Sequence, residues 1–368
     1  MKKLKKSIFS ISLVGAIFCT NLICAEDDKT LMNNDAPAVI YSEDRSLSND
    51  SIEFLKKHNI ELQDVVPVET KDTEVIHSDS IKKTVPYVQS YDDIILSIAN
   101  EAEAYDFSDE QIEKLIRSTL NAKPKFIVPD DTVSVNSVSD DYSQNRDPKK
   151  DKGVGYEVYA LSGYYETTAF ATLPKVNLGR NNNAAYMFWT VNDKIDIGLG
   201  YSRGTYGDKW RMCWLYAGGE MQVAPAEEDN ARLQELSNIY FKVTVIDNNW
   251  IKMDVLNAAD FDELVMTYSV NTSGYSITRS NAQWNRQISL CTGKEVNDIP
   301  VFDDGAYLIN AKFENAYIYG SAIRQLLPAY VNGNRCGIFG VDDTSAGYVE
   351  INSNTHWHSE NITIRFPR

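Results

Sequence analysis

Alternating apolar and polar residues dominate the second half of the chain and predict β-strands. In residues 250–255, Ile251, Met253 and Val255 alternate with polar or amphipathic positions, and residues 238–246 and 283–291 repeat the pattern. Side chains of a strand point to opposite faces with a period of two, so each run has one core face and one outer face. The predicted strands span 156–161, 164–173, 184–191, 195–201, 210–217, 238–246, 250–257, 262–270, 283–291, 311–320, 346–351 and 361–366.

The number of these runs indicates the fold class. A dozen strands in the 214 residues of 155–368, with almost no helical periodicity, predict an all-β domain of two antiparallel sheets packed face to face. At this size, a jelly-roll sandwich of the concanavalin-like kind fits better than an immunoglobulin-sized sandwich. We expect the last strand, 361–366, to return beside the first.

The first half shows helical periodicity instead. Residues 51–58 and 91–105 space their apolar residues as short amphipathic helices, and Ser108 to Gln111 forms a capping box before a third helix. Helices of this length are marginal alone, so they must pair or dock. A pro-region, a spacer and an arm docked on the β half all fit this region.

Composition divides the chain at the same place. All six Trp residues lie in 155–368, and residues 135–154 are polar and punctuated by Gly and Pro. We therefore predict four parts: a signal peptide (1–25), an acidic, partly helical and partly disordered N-terminal region (26–134), a linker (135–154) and the β-sandwich (155–368).

The first 25 residues predict export. Four Lys residues precede a short apolar stretch that ends at Ala25, which suits signal-peptidase cleavage before Glu26. A membrane anchor is the alternative, but polar residues interrupt the apolar stretch. The expected location is secreted or extracellular, with no membrane span after cleavage.

Charge excludes some partners. The formal net charge is −16, and without the four leader lysines 32 basic residues face 52 acidic ones, giving −20. Such a surface repels phosphate backbones, so nucleic-acid binding is not expected. Three cysteines remain after the leader, Cys213, Cys291 and Cys336; three pairings are open, and buried unbridged thiols are the default interpretation.

The outer phases of several strands carry amides, charged residues and one Trp, a set that suits sugar hydroxyls. If these strands are neighbours on a curved sheet, long polar side chains could converge on a sugar while Trp250 stacks on its apolar face. An ordinary solvated sheet face is the alternative. The candidate ligand-binding residues are Arg211, Lys242, Trp250, Lys252, Asp254, Asn285 and Gln287.

Catalytic motifs are mostly missing. Jelly-roll glycosidases use two close carboxylates, often at i and i+4 of one strand, and no such run occurs. His356 and His358 could share a strand face and hold a metal with a third ligand. We expect no cofactor other than a structural Ca²⁺, for which 303–304 and 342–343 could supply oxygens; plain turns are the alternative for both segments.

Three segments of the β half, 239–255, 284–292 and 311–320, carry a family resemblance. In them the chain resembles the YrpD-like secreted proteins of Gram-positive bacteria, which are related to concanavalin-like lectin and glucanase jelly rolls. The resemblance covers about 155–368 and implies a fold and secretion. It supplies no catalytic residues, because the glucanase carboxylate motif is missing here.

The sequence therefore favours a secreted, non-catalytic, lectin-like protein that binds extracellular or cell-wall polysaccharide. A polysaccharide-degrading hydrolase or lyase with an unrecognised site is the first alternative. A structural surface protein without a small ligand is the second. Enzymatic activity is left open, with the missing constellations favouring binding.

Overall fold

The structure is a computed structural model, and it describes most of the β half and the helical segments before it. The described residues are 47–61, 90–121, 125–127, 153–203, 209–216, 221–223, 233–261, 264–320, 324–326, 331–338, 348–355 and 358–368. The predicted signal peptide and most of the predicted linker lie outside them.

Two antiparallel sheets form the β half. Sheet A has ten strands in the order β1-β11-β10-β9-β3-β15-β19-β18, with β4 and β16 also paired to β15; its β1–β11 contact is the parallel exception. Sheet B has seven in the order β17-β2-β12-β5-β6-β7-β8, and β13 and β14 form a separate hairpin. The strands are β1 Lys125–Ile127, β2 Gly153–Ser162, β3 Tyr164–Thr172, β4 Lys175–Asn177, β5 Ala184–Val191, β6 Ile195–Ser202, β7 Lys209–Tyr216, β8 Gln222–Val223, β9 Asn238–Val245, β10 Trp250–Asn257, β11 Leu264–Asn271, β12 Gln283–Cys291, β13 Glu295–Val296, β14 Ile299–Pro300, β15 Tyr307–Gly320, β16 Arg324–Leu326, β17 Val331–Ile338, β18 Val349–Thr355 and β19 Ser359–Arg365.

The two sheets pack face to face around one apolar core. Val243 and Met253 enter it from sheet A, and Trp189 and Ile288 enter it from sheet B; all four are fully buried. These are the phases that the alternation predicts. The predicted fold class, an all-β two-sheet antiparallel sandwich, is confirmed.

Strand prediction succeeded where alternation was strong. Residues 184–191, 250–257 and 283–291 are strands with the predicted bounds. The missed strands are mostly two or three residues long, and β17 contains two Gly and no alternation. Its pairing to β2 is a tertiary effect that no local pattern encodes.

One predicted connection was wrong. The last strand, β19, pairs with β15 and β18 of sheet A rather than with the first predicted strand, β2, which belongs to sheet B. The period of two fixes the face of a strand but not its neighbours.

Three helices precede the sandwich: α1 (Asn49–Lys57), α2 (Tyr91–Tyr105) and α3 (Asp109–Leu120). Each begins at a serine cap, and Ser108 and Gln111 form the predicted capping box. An N-cap hydroxyl accepts a hydrogen bond from a backbone N–H that has no partner within the helix, which fixes where each helix starts.

The helices pack on the outer face of sheet A, and we call them the helical layer. Ile98 of α2 and Ile112 of α3 are fully buried in an apolar cluster with Tyr240, Leu256 and Phe261 of the β half. Of the three interpretations of this region, docking on the β half is the one that the described helices show.

Two remaining expectations concern thiols and membranes. Cys213 and Cys291 are buried and unbridged, as expected by default, and the side chain of Cys336 lies outside the described residues. Within the described part of the chain, no helix is long and apolar enough to cross a bilayer.

Candidate functional site

The seven candidate ligand residues lie on the predicted strand faces but not on one surface. Each alternates with residues of the inter-sheet core, so the predicted phases are confirmed. However, they belong to different sheets, which corrects the assumption that their strands are neighbours. Lys242, Trp250, Lys252 and Asp254 lie on the outer face of sheet A, and Arg211, Asn285 and Gln287 lie on the outer face of sheet B.

The sheet A set is occupied by protein contacts. The ammonium group of Lys242 pairs with Glu101 of α2, donates to the Ser97 hydroxyl at 2.7 Å, and lies 3.5 Å from Glu166 of β3. Ser97 also donates to Glu166 at 3.0 Å. These contacts join the helical layer to the sheet and leave Lys242 almost no exposed surface.

This cluster holds two carboxylates for one ammonium group. Burial raises the pKa of Glu101 more than the charge of Lys242 lowers it, and Glu166 adds to the rise. Burial alone would lower the pKa of Lys242, but the charges of Glu101 and Glu166 raise it above its ordinary value. Burial therefore sets the direction for the pKa of Glu101, and the two nearby carboxylates set it for the pKa of Lys242.

The other sheet A candidates are also buried. Lys252 pairs with Asp254 at 3.0 Å, and the Thr267 hydroxyl donates to Asp254 at 2.6 Å. Trp250 keeps only 3% of its surface exposed. A sugar cannot stack on Trp250 in this conformation, because the indole is not accessible.

Sheet B presents a second polar surface on the side away from sheet A. Its residues come from five strands, β2, β12, β5, β6 and β7, and all of them alternate with core residues. We call this surface the sheet B face. It comprises Glu157, Tyr186, Phe188, Thr190, Asp196, Arg211, Asn285, Gln287 and Ser289, each less than a tenth exposed.

Strand register brings these residues together in rows. Gln287 lies directly opposite Glu157 on β2 and Phe188 on β5. Asn285 lies opposite Thr190, which in turn lies opposite Asp196 on β6. Directly opposed side chains have Cβ atoms about 4.5–5.5 Å apart, so each row forms a contiguous strip.

A tight turn fixes one end of the sheet B face. Asn192 and Asp193 both have positive φ, at 52° and 54°, between β5 and β6. Two successive left-handed residues define the hairpin turn that matches the twist of the flanking strands. The turn sets the register in which Thr190 donates to Asp196 at 2.6 Å, and Gln287 Nε2 donates to Thr190 at 3.1 Å.

Two glycines make room beneath the aromatic residues of this face. A Cβ atom on Gly200 would lie 3.1 Å from the ring of Tyr186, and one on Gly198 would lie 2.3 Å from Cβ of Phe188. Only glycine allows these rings to lie close to the β6 backbone.

Several polar atoms on the sheet B face have no hydrogen-bond partner among the described residues. They are both side-chain amide atoms of Asn285, the amide oxygen of Gln287 and the hydroxyl of Ser289, and all four are fully buried. Buried polar groups in native proteins are almost always bonded to protein, water or ligand. Three consecutive outward positions of β12 therefore carry donors and acceptors without a partner among the described residues, and, like Trp250, they are closed to solvent in this conformation.

Sequence reasoning identified Arg211, Asn285 and Gln287 but did not connect Glu157 or Asp196 with them. Glu157 lies between the core residues Tyr156 and Val158, so the alternation predicts that its side chain is on the outer face of the strand. The missing information was that β2 pairs with β12, which are more than a hundred residues apart.

The predicted metal positions show other roles where they are described. The Asp304 carboxylate accepts hydrogen bonds from the backbone N–H groups of Arg180 and Asn181, so it stabilises the loop that contains these two residues. His358 contacts the Ser359 hydroxyl at 2.9 Å, while His356 and residues 342–343 lie outside the described residues. Within the described ranges, no three His, Cys, Asp or Glu side chains lie close enough together to hold a metal ion.

Comparison with known proteins assigns no family to this chain. No family model and no curated protein sequence matches the chain. A solved scytalido-glutamic peptidase is 13% identical, with a TM-score of 0.39, over 57% of this chain and 97% of that one. A chicken liver agglutinin is 9% identical, with a TM-score of 0.23, over 37% of this chain and 93% of that one. An alginate lyase from Klebsiella pneumoniae is 12% identical, with a TM-score of 0.22, over 39% of this chain and 59% of that one. Values this low say nothing about what this chain binds or cleaves.

Proposed function

We propose that this protein is a non-catalytic, lectin-like glycan-binding β-sandwich and that the sheet B face is its binding surface. The observation that carries the proposal is the set of buried polar atoms on Asn285, Gln287 and Ser289 that lack partners among the described residues. The face is closed in the present conformation, so it must open to admit a ligand. A bound sugar would then supply the missing hydrogen bonds, because each of its hydroxyls both donates and accepts.

Neutral glycans fit this surface best. Tyr186 and Phe188 pack with Cys213 in a buried apolar cluster beside the amides of Asn285 and Gln287, so the face combines apolar and polar groups as a pyranose ring does. The chain as a whole carries a net charge of −16, which disfavours uronate-rich or phosphate-rich polymers.

We further propose that the protein acts outside the cell, at the cell surface or on extracellular polysaccharide. The support is the leader, with four lysines before an apolar stretch ending at Ala25. We expect mass spectrometry of protein from culture medium to find a mature N-terminus at or near Glu26. Soluble cytoplasmic protein that retains Met1 would contradict export.

Calorimetric titration with three neutral hexasaccharides, cellohexaose, laminarihexaose and N-acetylchitohexaose, tests the binding proposal. We expect one of them to bind, and Asn285→Ala and Gln287→Ala each to weaken binding about three- to tenfold. The matched control is Gln234→Ala, which removes an exposed amide outside the sheet B face. If none binds, or if the control weakens binding equally, the proposal fails and the structural-protein alternative gains support.

A hydrolase is the second candidate, and one observation favours it. The Glu157 carboxylate and the Gln287 amide are directly opposite each other in register, and both residues are fully buried. A carboxylate can take a proton from an attacking water while an amide N–H donates to the developing oxyanion, which is chemistry for ester or amide bonds.

Glycoside hydrolysis fits this face less well. It needs two carboxylates about 5–9.5 Å apart. Glu157 and Asp196 lie three strands apart, so their backbones are separated by about 14 Å or more. Glu157→Gln separates the candidates: a hydrolase loses product release from chromogenic ester or peptide substrates, whereas a lectin never releases product.

A further inference from the structure

An ion pair inside the core lies directly behind the sheet B face. Arg286 separates Asn285 from Gln287 on β12, and its side chain points the opposite way, into the space between the sheets. There its Nη2 atom lies 2.6 Å from Oε2 of Glu360, on β19 of sheet A. Both residues are at least 98% buried, so the pair links the two sheets through the core.

Packing holds the guanidinium of Arg286 in place. The guanidinium carbon lies 5.6 Å from the ring centre of Trp189 and 5.1 Å from that of Phe313. Trp189 belongs to β5, which pairs with β12, and Phe313 belongs to β15, which pairs with β19. A displacement of Arg286 must therefore be shared with β12, the strand that carries the ligand amides.

The charge on Glu360 changes in the neutral range. Burial raises the pKa of Glu360 to about 7, and the charge and hydrogen bond of Arg286 oppose the rise. The residues opposite Glu360 on the neighbouring strands are Phe313 of β15 and Asn354 of β18, neither of which titrates. Arg286 is thus the charged group that faces it from the described elements.

We propose that Arg286 and Glu360 are positioning residues for the sheet B face, so that its affinity for a neutral glycan changes with the protonation of Glu360. This inference rests on the proposed glycan-binding function. With Glu360 ionised, the pair anchors β12 and aligns Asn285 and Gln287. With Glu360 protonated, its carboxyl group no longer attracts the guanidinium by charge, so β12 is held less firmly.

Thermodynamic linkage sets the sign of the effect. If the ionised state presents the amides correctly, affinity rises as the pH increases through 7. Reciprocally, a bound glycan must favour ionised Glu360 and lower its pKa. A residue with a merely structural role would change stability without producing this pH profile.

The first experiment needs no ligand. The side-chain NH₂ signals of Asn285 and Gln287 are followed by ¹⁵N NMR on the full chain between pH 5.5 and 8.5, with assignment from the Ala variants. We expect both signals to shift with one midpoint near 7 and to stay constant in Glu360→Gln. Glu314→Gln, an exposed position on neighbouring β15, is the matched control and should titrate like the wild type.

Wild-type signals that do not move across this range overturn the inference, whether or not Glu360→Gln folds. Signals that titrate unchanged in folded Glu360→Gln overturn it as well. Either result leaves the glycan-binding proposal intact.

The second experiment measures affinity for the three hexasaccharides at pH 6 and pH 8. We expect at least about fivefold tighter binding at pH 8, and pH-independent, weaker binding in Glu360→Gln. Binding that is equal at both pH values refutes the coupling. No binding at either pH, together with titrating amide signals, refutes the glycan proposal and leaves the positioning role supported.

Discussion

Single polar residues on the strand faces determine what each surface of this protein can do. Lys242 and Gln287 are both outward residues of central strands, and both are buried. Lys242 is paired with Glu101 of the helical layer, whereas the amide oxygen of Gln287 has no partner among the described residues. Phase alone therefore does not separate a structural polar residue from a ligand-binding one; the partner does.

Asn285→Leu tests whether the amide is kept for a ligand. Both polar atoms of Asn285 are buried without a partner among the described residues, so an apolar side chain of similar size should leave the free energy of unfolding unchanged or raise it. We expect urea denaturation to show this, with glycan binding reduced. A loss of more than about 1 kcal/mol would mean that the amide is already bonded in the folded protein.

Trp250→Ala should act on stability rather than on binding. The indole is 3% exposed, and removal of a buried aromatic side chain costs about 3–5 kcal/mol. Thermal denaturation should show a large decrease, while Ile351→Ala, at a 39% exposed edge position, should change little. Wild-type stability combined with weaker glycan binding would instead restore Trp250 as a ligand residue.

At the scale of elements, the helical layer and sheet A form one interface. The interface has an apolar part, with Ile98 and Phe261, and a charged part around Glu101 and Lys242. The sequence predicted both helix starts and strand phases, because caps and alternation are local signals. It did not predict that the helices dock on this part of sheet A, because the contact of Lys242 with Glu101 joins residues 141 apart in the chain.

The charged part of this interface predicts a pH dependence. Burial raises the pKa of Glu101 above its ordinary value of 4.5, so the folded protein keeps this proton more tightly than the unfolded chain. Its contribution to stability is complete below about pH 4.5 and is lost as the pH rises through the folded-state pKa. We expect the melting temperature to fall as the pH rises from 5 towards alkaline values.

Glu101→Gln should reduce the decrease of the melting temperature with rising pH. Glu360 contributes a slope of the same sign, and the variant leaves it in place. Glu113→Gln, on the half-exposed side of α3, is the control and should keep the wild-type slope. An unchanged slope in folded Glu101→Gln would mean that its carboxylate does not titrate in this range.

At the scale of the whole molecule, the chain forms a three-layer arrangement of helices, sheet A and sheet B. Composition and patterning predicted the all-β sandwich and located the helices. They did not predict that four of the seven candidate ligand residues would face the covered side of sheet A, since alternation is identical on both sheets. The pairing of β2 with β12 and the Arg286–Glu360 contact depend on long-range register, which one sequence does not encode locally.

The layered arrangement makes a prediction about the β half alone. The composition boundary near residue 155 predicts that this half folds independently. However, a fragment of residues 153–368 exposes Tyr240, Leu256 and Phe261, which the helices bury in the full chain. The fragment also lacks Glu101, the ion-pair partner of Lys242. Apolar surface that is returned to water costs about 25 cal/mol per Å². We therefore expect the fragment to unfold at lower urea concentration than residues 26–368, to bind a hydrophobic dye, and to recover stability when a peptide of residues 47–121 is added. A fragment as stable as the longer chain, with no effect of the peptide, would show that the helical layer is an independent appendage.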